Sequence, residues 1–301
     1  MAELLVLSEE AVRRALSLDE LSESLTTALI SLSQDMVSVP PRIAARSETG
    51  LLAAMPGYVP GLGLAAKLVS VYPGNPERGL PAHQALIAVF DEATGAPIAV
   101  MGGTYITAMR TVMTAALAAR SLARQSASVA IIGAGAQGEA HLAAFRHMLA
   151  PARIRIASRR GQRAADLAGK GPEAVAVGSV WEAVEGADIV CCCTDAQEAV
   201  LENGWVTPGM HVSSVGTGPE LPLDLLDRSR LFVESRAATL PLPAGAPELQ
   251  GRDPASLVEI GAVLSGRTAG RTDDEEVTVF KSTGHAVEDV AAAAVVARHA
   301  R

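Results

Sequence analysis

Behind Ser8, apolar residues recur at helical spacing (Val12, Leu16, Leu21, Leu25 and Leu29), with Glu9 and Glu10 in the first turn; the spacing predicts helix over residues 8–34. From Pro40 to Val100 the period changes. GLLAAMPGYVP, LGLAAKLVSVY and HQALIAVFDEATGAPIAVM carry short apolar or β-branched runs between glycine and proline breakers, which predicts strands. The last of them reads as a hairpin turning over residues 91–95. Helical spacing rich in Ala and Leu returns over residues 104–124. At Ser128 the texture changes again. SVAIIGAGAQG is an apolar strand running into a glycine loop, and EAHLAAFRHML is the helix that follows. ARIRIASRR, GQRAADLAGK, VAVGS, VWEAVEGA, DIVCCCT, HVSSVGT and RLFVES continue the alternation. Strands separated by helices require crossovers, so this half predicts a doubly wound parallel sheet of α/β type. Residues 239–276 are loop-rich, and the strand VTVFKST and the helix HAVEDVAAAAVVARHA close the chain.

Composition narrows the function. At 301 residues, 49% hydrophobic and 19% charged, the chain is globular and long enough for two domains. A net charge of -8 with only 3% aromatic residues denies it a basic, stacking surface, which argues against nucleic acid as a partner. No apolar run approaches the roughly 20 residues of a membrane helix, so no membrane association is expected. The N-terminus carries Glu3, Glu9 and Glu10 and lacks the apolar core of a signal peptide. Cys191, Cys192 and Cys193 are consecutive, an arrangement poorly suited to chelating one metal or to pairing with each other. They are expected as small buried apolar residues on a strand, in a reducing, cytoplasmic setting, with no metal site.

Gly133, Gly135 and Gly138 form G-x-G-x-x-G between a strand and a helix. The first glycine permits the tight turn, the second lets backbone approach a pyrophosphate, and the third lets helix and strand pack closely. Phosphates then meet the amides at the helix N-terminus. A ribose with a free 2′-hydroxyl usually meets a carboxylate at the end of the second strand; here Ser158, Arg159 and Arg160 stand there. Two guanidiniums suit a 2′-phosphate, so NADP is expected ahead of NAD. Surface arginines are the other reading of the same pair.

Before the glycine loop, PPR at residues 40–42, AAKLVSVYPGNPERGLPAHQA at 65–85 and AVMGGTYITAMRT at 99–111 carry a resemblance to the ornithine cyclodeaminase/mu-crystallin family. It continues through GAGAQG to TVFKSTGHAVED at 278–289, and spans nearly the whole chain. PAHQA and the Ser-Arg strand end are more similar to the mu-crystallin and ketimine-reductase branch. The resemblance implies a Rossmann-type dinucleotide-binding domain, residues 121–277, inserted into a discontinuous α+β substrate and dimerisation domain, residues 1–120 with 278–301. It therefore also implies a homodimer.

The family's substrate constellation maps onto Arg42, Lys67 and Arg110. Arginine forks suit the carboxylate of a small amino or imino acid. Lys67, with Ala65, Ala66, Leu68 and Val69 around it, is expected to be partly desolvated, with a lowered pKa that suits proton transfer. An outward-facing lysine on an alternating strand is the other arrangement this pattern allows. His83 is a candidate hydrogen-bonding partner of substrate or cofactor, a satisfied structural histidine being the other reading, and Ser282 and Thr283 match positions lining the family's substrate site. By resemblance, Thr111, Ala136, Gln137 and Thr194 border the cofactor.

Two departures bear on the reaction. Cyclodeaminases and the related alanine dehydrogenases carry an aspartate in the loop after the fifth strand, and here VGTGPEL, residues 215–221, places Gly218 there. Gly102 replaces an aspartate common at the entry to the helix at 104. These losses weaken cyclodeamination more than hydride transfer. The expected activity is NAD(P)H-dependent reduction of the C=N bond of a small α-imino acid, a cyclic ketimine, or the reverse amino-acid dehydrogenation. Ornithine cyclodeaminase and a non-enzymatic, NADPH-dependent binding protein are the alternatives.

Overall fold

The computed structural model describes residues 4–124 and 128–300, so Glu3 lies outside the described residues. Its backbone contacts divide into two compact units, one ending at Arg110 and resuming at His285, the other Thr111–Gly284.

The first unit is built on a six-stranded sheet of order β1-β6-β5-β4-β3-β2. Its strands are β1 (Leu5–Leu7), β2 (Ile43–Arg46), β3 (Leu51–Val59), β4 (Gly63–Val71), β5 (His83–Phe90) and β6 (Pro97–Gly102). From β2 to β6 every pairing is antiparallel, and β1 joins β6 in parallel. The period-two pattern of β3 and β4 buries Ala53, Met55, Val59, Ala65 and Val69 on one face. The long helices α2 (Leu18–Ser33) and α9 (Ala286–His299) pack together, and α9 covers β3 and β4 on that face. The hairpin turn between β5 and β6 falls where expected: Asp91 accepts from the Thr94 amide at 2.9 Å and from its hydroxyl at 2.7 Å. One expectation fails. Residues 8–34 form two helices, α1 (Glu9–Ala15) and α2, because Ser17 is extended and its hydroxyl caps α2 by accepting from the Glu20 amide.

Gly102 has a physical counterpart in α1. A Cβ at that position would lie 2.7 Å from the Glu9 carboxyl carbon. Glu9 accepts from the Thr104 and Tyr105 amides at 2.8 and 3.0 Å, capping the open end of α3 (Thr104–Leu122). The Glu9 carboxylate therefore fills the space beside Gly102.

The second unit carries an eight-stranded sheet, β13-β12-β14-β11-β10-β7-β8-β9, with every pairing parallel. In chain order its elements are β7 (Ser128–Ile132), α4 (Ala136–Leu149), β8 (Arg153–Ala157), α5 (Gly161–Ala168), β9 (Ala174–Ala176), α6 (Val180–Val184), β10 (Ile189–Cys192), β11 (His211–Ser214), α7 (Leu223–Arg228), β12 (Arg230–Val233), β13 (Val258–Glu259), α8 (Ile260–Leu264) and β14 (Thr278–Lys281). The chain leaves β7 toward β8 and β9, then returns to β10 on its other side, which makes the β7–β10 edge a topological switch point. Residues 111–120 and 278–284 differ from the expected grouping: both segments lie with this unit, and β14 is an interior strand between β11 and β12. Cys191, Cys192 and Cys193 are buried at and just beyond β10, and burial raises all three thiol pKa values. Among the described residues, no helix is long and apolar enough to cross a membrane and no cluster of three or more His, Cys, Asp or Glu is arranged to hold a metal ion.

Candidate active site

In the first unit, strand alternation decides the orientation of Lys67. It lies between Ala65 and Val69 on the buried face of β4, and only 2% of it is exposed, while Leu68 faces outward. Its ammonium Nζ is 2.9 Å from Asp289 Oδ1 and 2.8 Å from Oδ2. Arg110, on α3, donates from Nε to the same Oδ1 at 3.1 Å and from a terminal nitrogen to Glu288 Oε2 at 2.6 Å. Two cations and two carboxylates therefore form one dry cluster: Lys67 from the sheet, Arg110 from α3, and Glu288 and Asp289 from the first turn of α9. Burial pulls the Lys67 pKa from 10.5 down to about 8; Asp289 opposes the shift, and Arg110 reinforces it.

The remaining expected residues of this unit stand around the cluster. His83 opens β5, partly open to solvent, with its pKa lowered by desolvation first and by the Lys67 charge second. Arg42 is half-buried just before β2, and its charge is felt by His285. Glu288 folds back over the start of α9, its Oε2 accepting from the His285 backbone amide at 3.0 Å. Burial and then Arg42 hold the His285 pKa at about 4. Glu288 and Asp289 escaped the sequence reading. Acidic residues in a first helical turn usually face water, and the signal that these do not is the uninterrupted run of Ala and Val behind them.

In the second unit, strand register brings the expected nucleotide residues to one edge. Ile132 pairs with Ala157 and Cys192, Cys192 with Ser214, and Ser214 with Lys281, so the carboxyl ends of five strands line up. Gly133, Ser158 and Cys193 immediately follow three of them. Gly133 has φ 118°, and a Cβ on it would meet the Cys193 carbonyl oxygen at 2.7 Å. A Cβ on Gly138 would lie 2.1 Å from the Gly133 carbonyl oxygen, so the helix packs onto the loop at the closest approach backbone allows. Gly135 is the opposite case: a Cβ there would meet nothing within 4 Å. Gly135 and Ala136 are exposed, no side chain caps α4, and Gln137 Oε1 is buried without a hydrogen-bond partner. Open space over a glycine and uncapped amides fit a dinucleotide pyrophosphate.

Ser158 is half-buried, and Arg159 and Arg160 are exposed at the end of β8. Arg159 pairs with Asp195 at 3.0 Å, both largely in water. Thr194 is held by Glu220, which accepts from its amide at 2.6 Å and its hydroxyl at 2.7 Å, and from Ser214 Oγ and the Gly216 amide, each at 2.7 Å. Lys281, also buried, donates to Ser214 Oγ and the Gly216 carbonyl and pairs with Glu248 at 2.9 Å. These contacts set the loop over residues 215–221. A Cβ on Gly218 would lie 2.0 Å from the Ala196 carbonyl oxygen, so this loop has no room for the aspartate of a cyclodeaminase. Ser282 donates its hydroxyl to Glu234, which also accepts from the Thr283 and Gly284 amides at 3.2 and 3.3 Å. Thr111 is buried within α3.

A profile of the ornithine cyclodeaminase/mu-crystallin family matches residues 2–301. The ketimine reductase mu-crystallin of Mus musculus is 37% identical over 254 residues, covering 82% of this chain and 80% of that protein. The solved structure of Thermococcus litoralis Δ1-pyrroline-2-carboxylate reductase in complex with NADH and L-proline superposes with a TM-score of 0.93 at 32% identity, covering 99% of this chain and 97% of that one. An archaeal alanine dehydrogenase dimer with bound NAD gives 0.87 at 31% identity, covering 99% and 96%.

Proposed function

The chain belongs to the ornithine cyclodeaminase/mu-crystallin family, and from that premise we propose that it is an NAD(P)H-dependent reductase of the C=N bond of a small α-imino acid, a cyclic ketimine such as a pyrroline- or piperideine-carboxylate. The observation that carries this reading is the buried Lys67 ammonium beside the Arg110 guanidinium, both tied to Asp289. A proton donor and a carboxylate clamp are what an α-imino acid requires of its protein. Arg42 and Arg110 hold the substrate carboxylate, with His83 beside them. Lys67 gives its proton to the imine nitrogen and recovers one from solvent, which closes the proton balance of the reduction.

Gly133, Gly135, Ala136, Gln137 and Gly138 would hold the dinucleotide pyrophosphate, with Thr111 and Thr194 alongside. Ser158, Arg159 and Arg160 would receive a 2′-phosphate, which favours NADP. When bound there, a reduced nicotinamide would supply the hydride for the reduction. The packed loop at Gly218 favours this reading over cyclodeamination, which needs a further acid/base group as ammonia leaves.

We also propose a homodimer. The outer face of the first unit's sheet exposes Val6, Ile43, Leu52, Leu68 and Leu86, with Leu68 paired directly to Leu86. An apolar sheet face of this kind marks an association surface.

The test is a panel of cyclic imino acids mixed with NADPH or NADH, following absorbance, beside ornithine with catalytic NAD, following ammonia. Steady dinucleotide oxidation with an imine is expected. Ammonia from ornithine without net cofactor change would replace the reductase with the lyase.

A further inference from the structure

Lys67 and Arg110 meet on one side chain. Asp289 binds both oxygens to the Lys67 ammonium, and its Oδ1 also accepts from Arg110 Nε. Glu288, the preceding residue on α9, holds a terminal nitrogen of the same guanidinium and is itself fixed by the His285 amide. Both carboxylates are buried, at 0% and 1% exposure, in a helical turn whose dipole favours negative charge. Such a cluster is expensive to desolvate, and an apolar core of the same shape would serve stability as well.

We infer that Asp289 and Glu288 are the positioning residues of this site: Asp289 aims the Lys67 ammonium and the Arg110 guanidinium together, and Glu288 locks the far side of that guanidinium. Recognition of a substrate carboxylate and delivery of the proton are then set by one turn of α9. The inference rests on the reductase reading for its kinetic consequences, but the geometry of Lys67 can be tested without turnover.

The groups facing Lys67 are Asp289 and Glu288 from α9, Arg110 from α3 and His83 from β5. Asp289 also pairs with Arg110, and His285 feels Arg42, Asp289 and Arg110. Of these, Asp289 contributes the largest stabilisation of the ammonium, opposing the effect of burial. In Asp289→Asn the two cations lose the carboxylate they share, so the ammonium is less favoured. Reduction needs Lys67 protonated, so kcat/KM should fall above its pKa. The alkaline limb of the profile is expected to move to lower pH by at least about one unit in Asp289→Asn. Asp289→Glu should restore most of the position. Glu288→Gln should raise KM for the imino acid about tenfold or more, with a smaller change in kcat and a smaller shift of the limb.

A direct readout is the NMR titration of the lysine side chains, practical because the chain has only Lys67, Lys170 and Lys281. Lys67 should titrate near 8 in the native protein and lower in Asp289→Asn. If that variant does not fold, Glu288→Gln is read the same way, and a smaller shift in the same direction is expected. A folded variant whose titration midpoint and alkaline limb both stay in place would overturn the inference, leaving the cluster a structural ion-pair network. If native protein oxidises no dinucleotide with any imine, the reductase reading fails, while the titration still decides the positioning of Lys67.

Discussion

Arg159 illustrates how a residue's partner sets what it can exchange. Its ion pair with Asp195 lies almost wholly in water, where such pairs contribute little and are readily given up. A ribose 2′-phosphate offers the same guanidinium a bidentate, more highly charged partner. Arg159→Ala is expected to narrow the proposed preference for NADPH over NADH about fivefold or more in kcat/KM; an unchanged ratio would remove this residue from cofactor choice. Lys67 is the contrasting case. Its burial follows from its register with Ala65 and Val69, which was present in the sequence as an alternation that could have been read either way. What the sequence did not contain was the face on which α9 would lie, and that packing decided it.

At the scale of elements, the parallel half was the more legible, because its short apolar strands and glycine loop are local signals. The break at Ser17 was not, since apolar residues keep helical spacing across it and only the extended backbone of the serine interrupts the helix. Nor was β14, whose place between β11 and β12 depends on a long-range crossover. Three elements also bury a neutral histidine: His141 in α4, His211 at the start of β11 and His285 at the cap of α9. Burial, the largest cause in each, holds their pKa values at about 4, 3 and 4. Unfolded, each would titrate near 6.5. Below that pH the unfolded chain therefore binds protons that the fold refuses. Their contribution is fully present above pH 6.5 and is lost as pH falls toward the folded values, by roughly 1.4 kcal/mol per pH unit for each histidine. Urea midpoints should accordingly drop between pH 7 and pH 5, and a flat or rising midpoint would contradict the account.

For the whole molecule, the exposed leucines of the first unit's sheet matter more than any single contact. Nothing in the alternation of β4 and β5 distinguishes an outer face turned to water from one turned to a second copy, so the sequence suggested a dimer only through its family. Leu68→Glu places a charge in the middle of that face, opposite Leu86. For the proposed dimer it should shift the sedimentation coefficient from dimer to monomer without altering the far-ultraviolet dichroism; a variant that stays dimeric would move the interface elsewhere.

The central claim is that a buried lysine delivers the proton of an imine reduction. Its most direct test compares native protein with Lys67→Met in NADPH oxidation with a cyclic imino acid, alongside NADPH binding by fluorescence. The account predicts that turnover falls by about two to four orders of magnitude, the usual contribution of a positioned general acid, while NADPH affinity stays within about twofold. Preserved turnover in the methionine variant, with or without weakened NADPH binding, would contradict it.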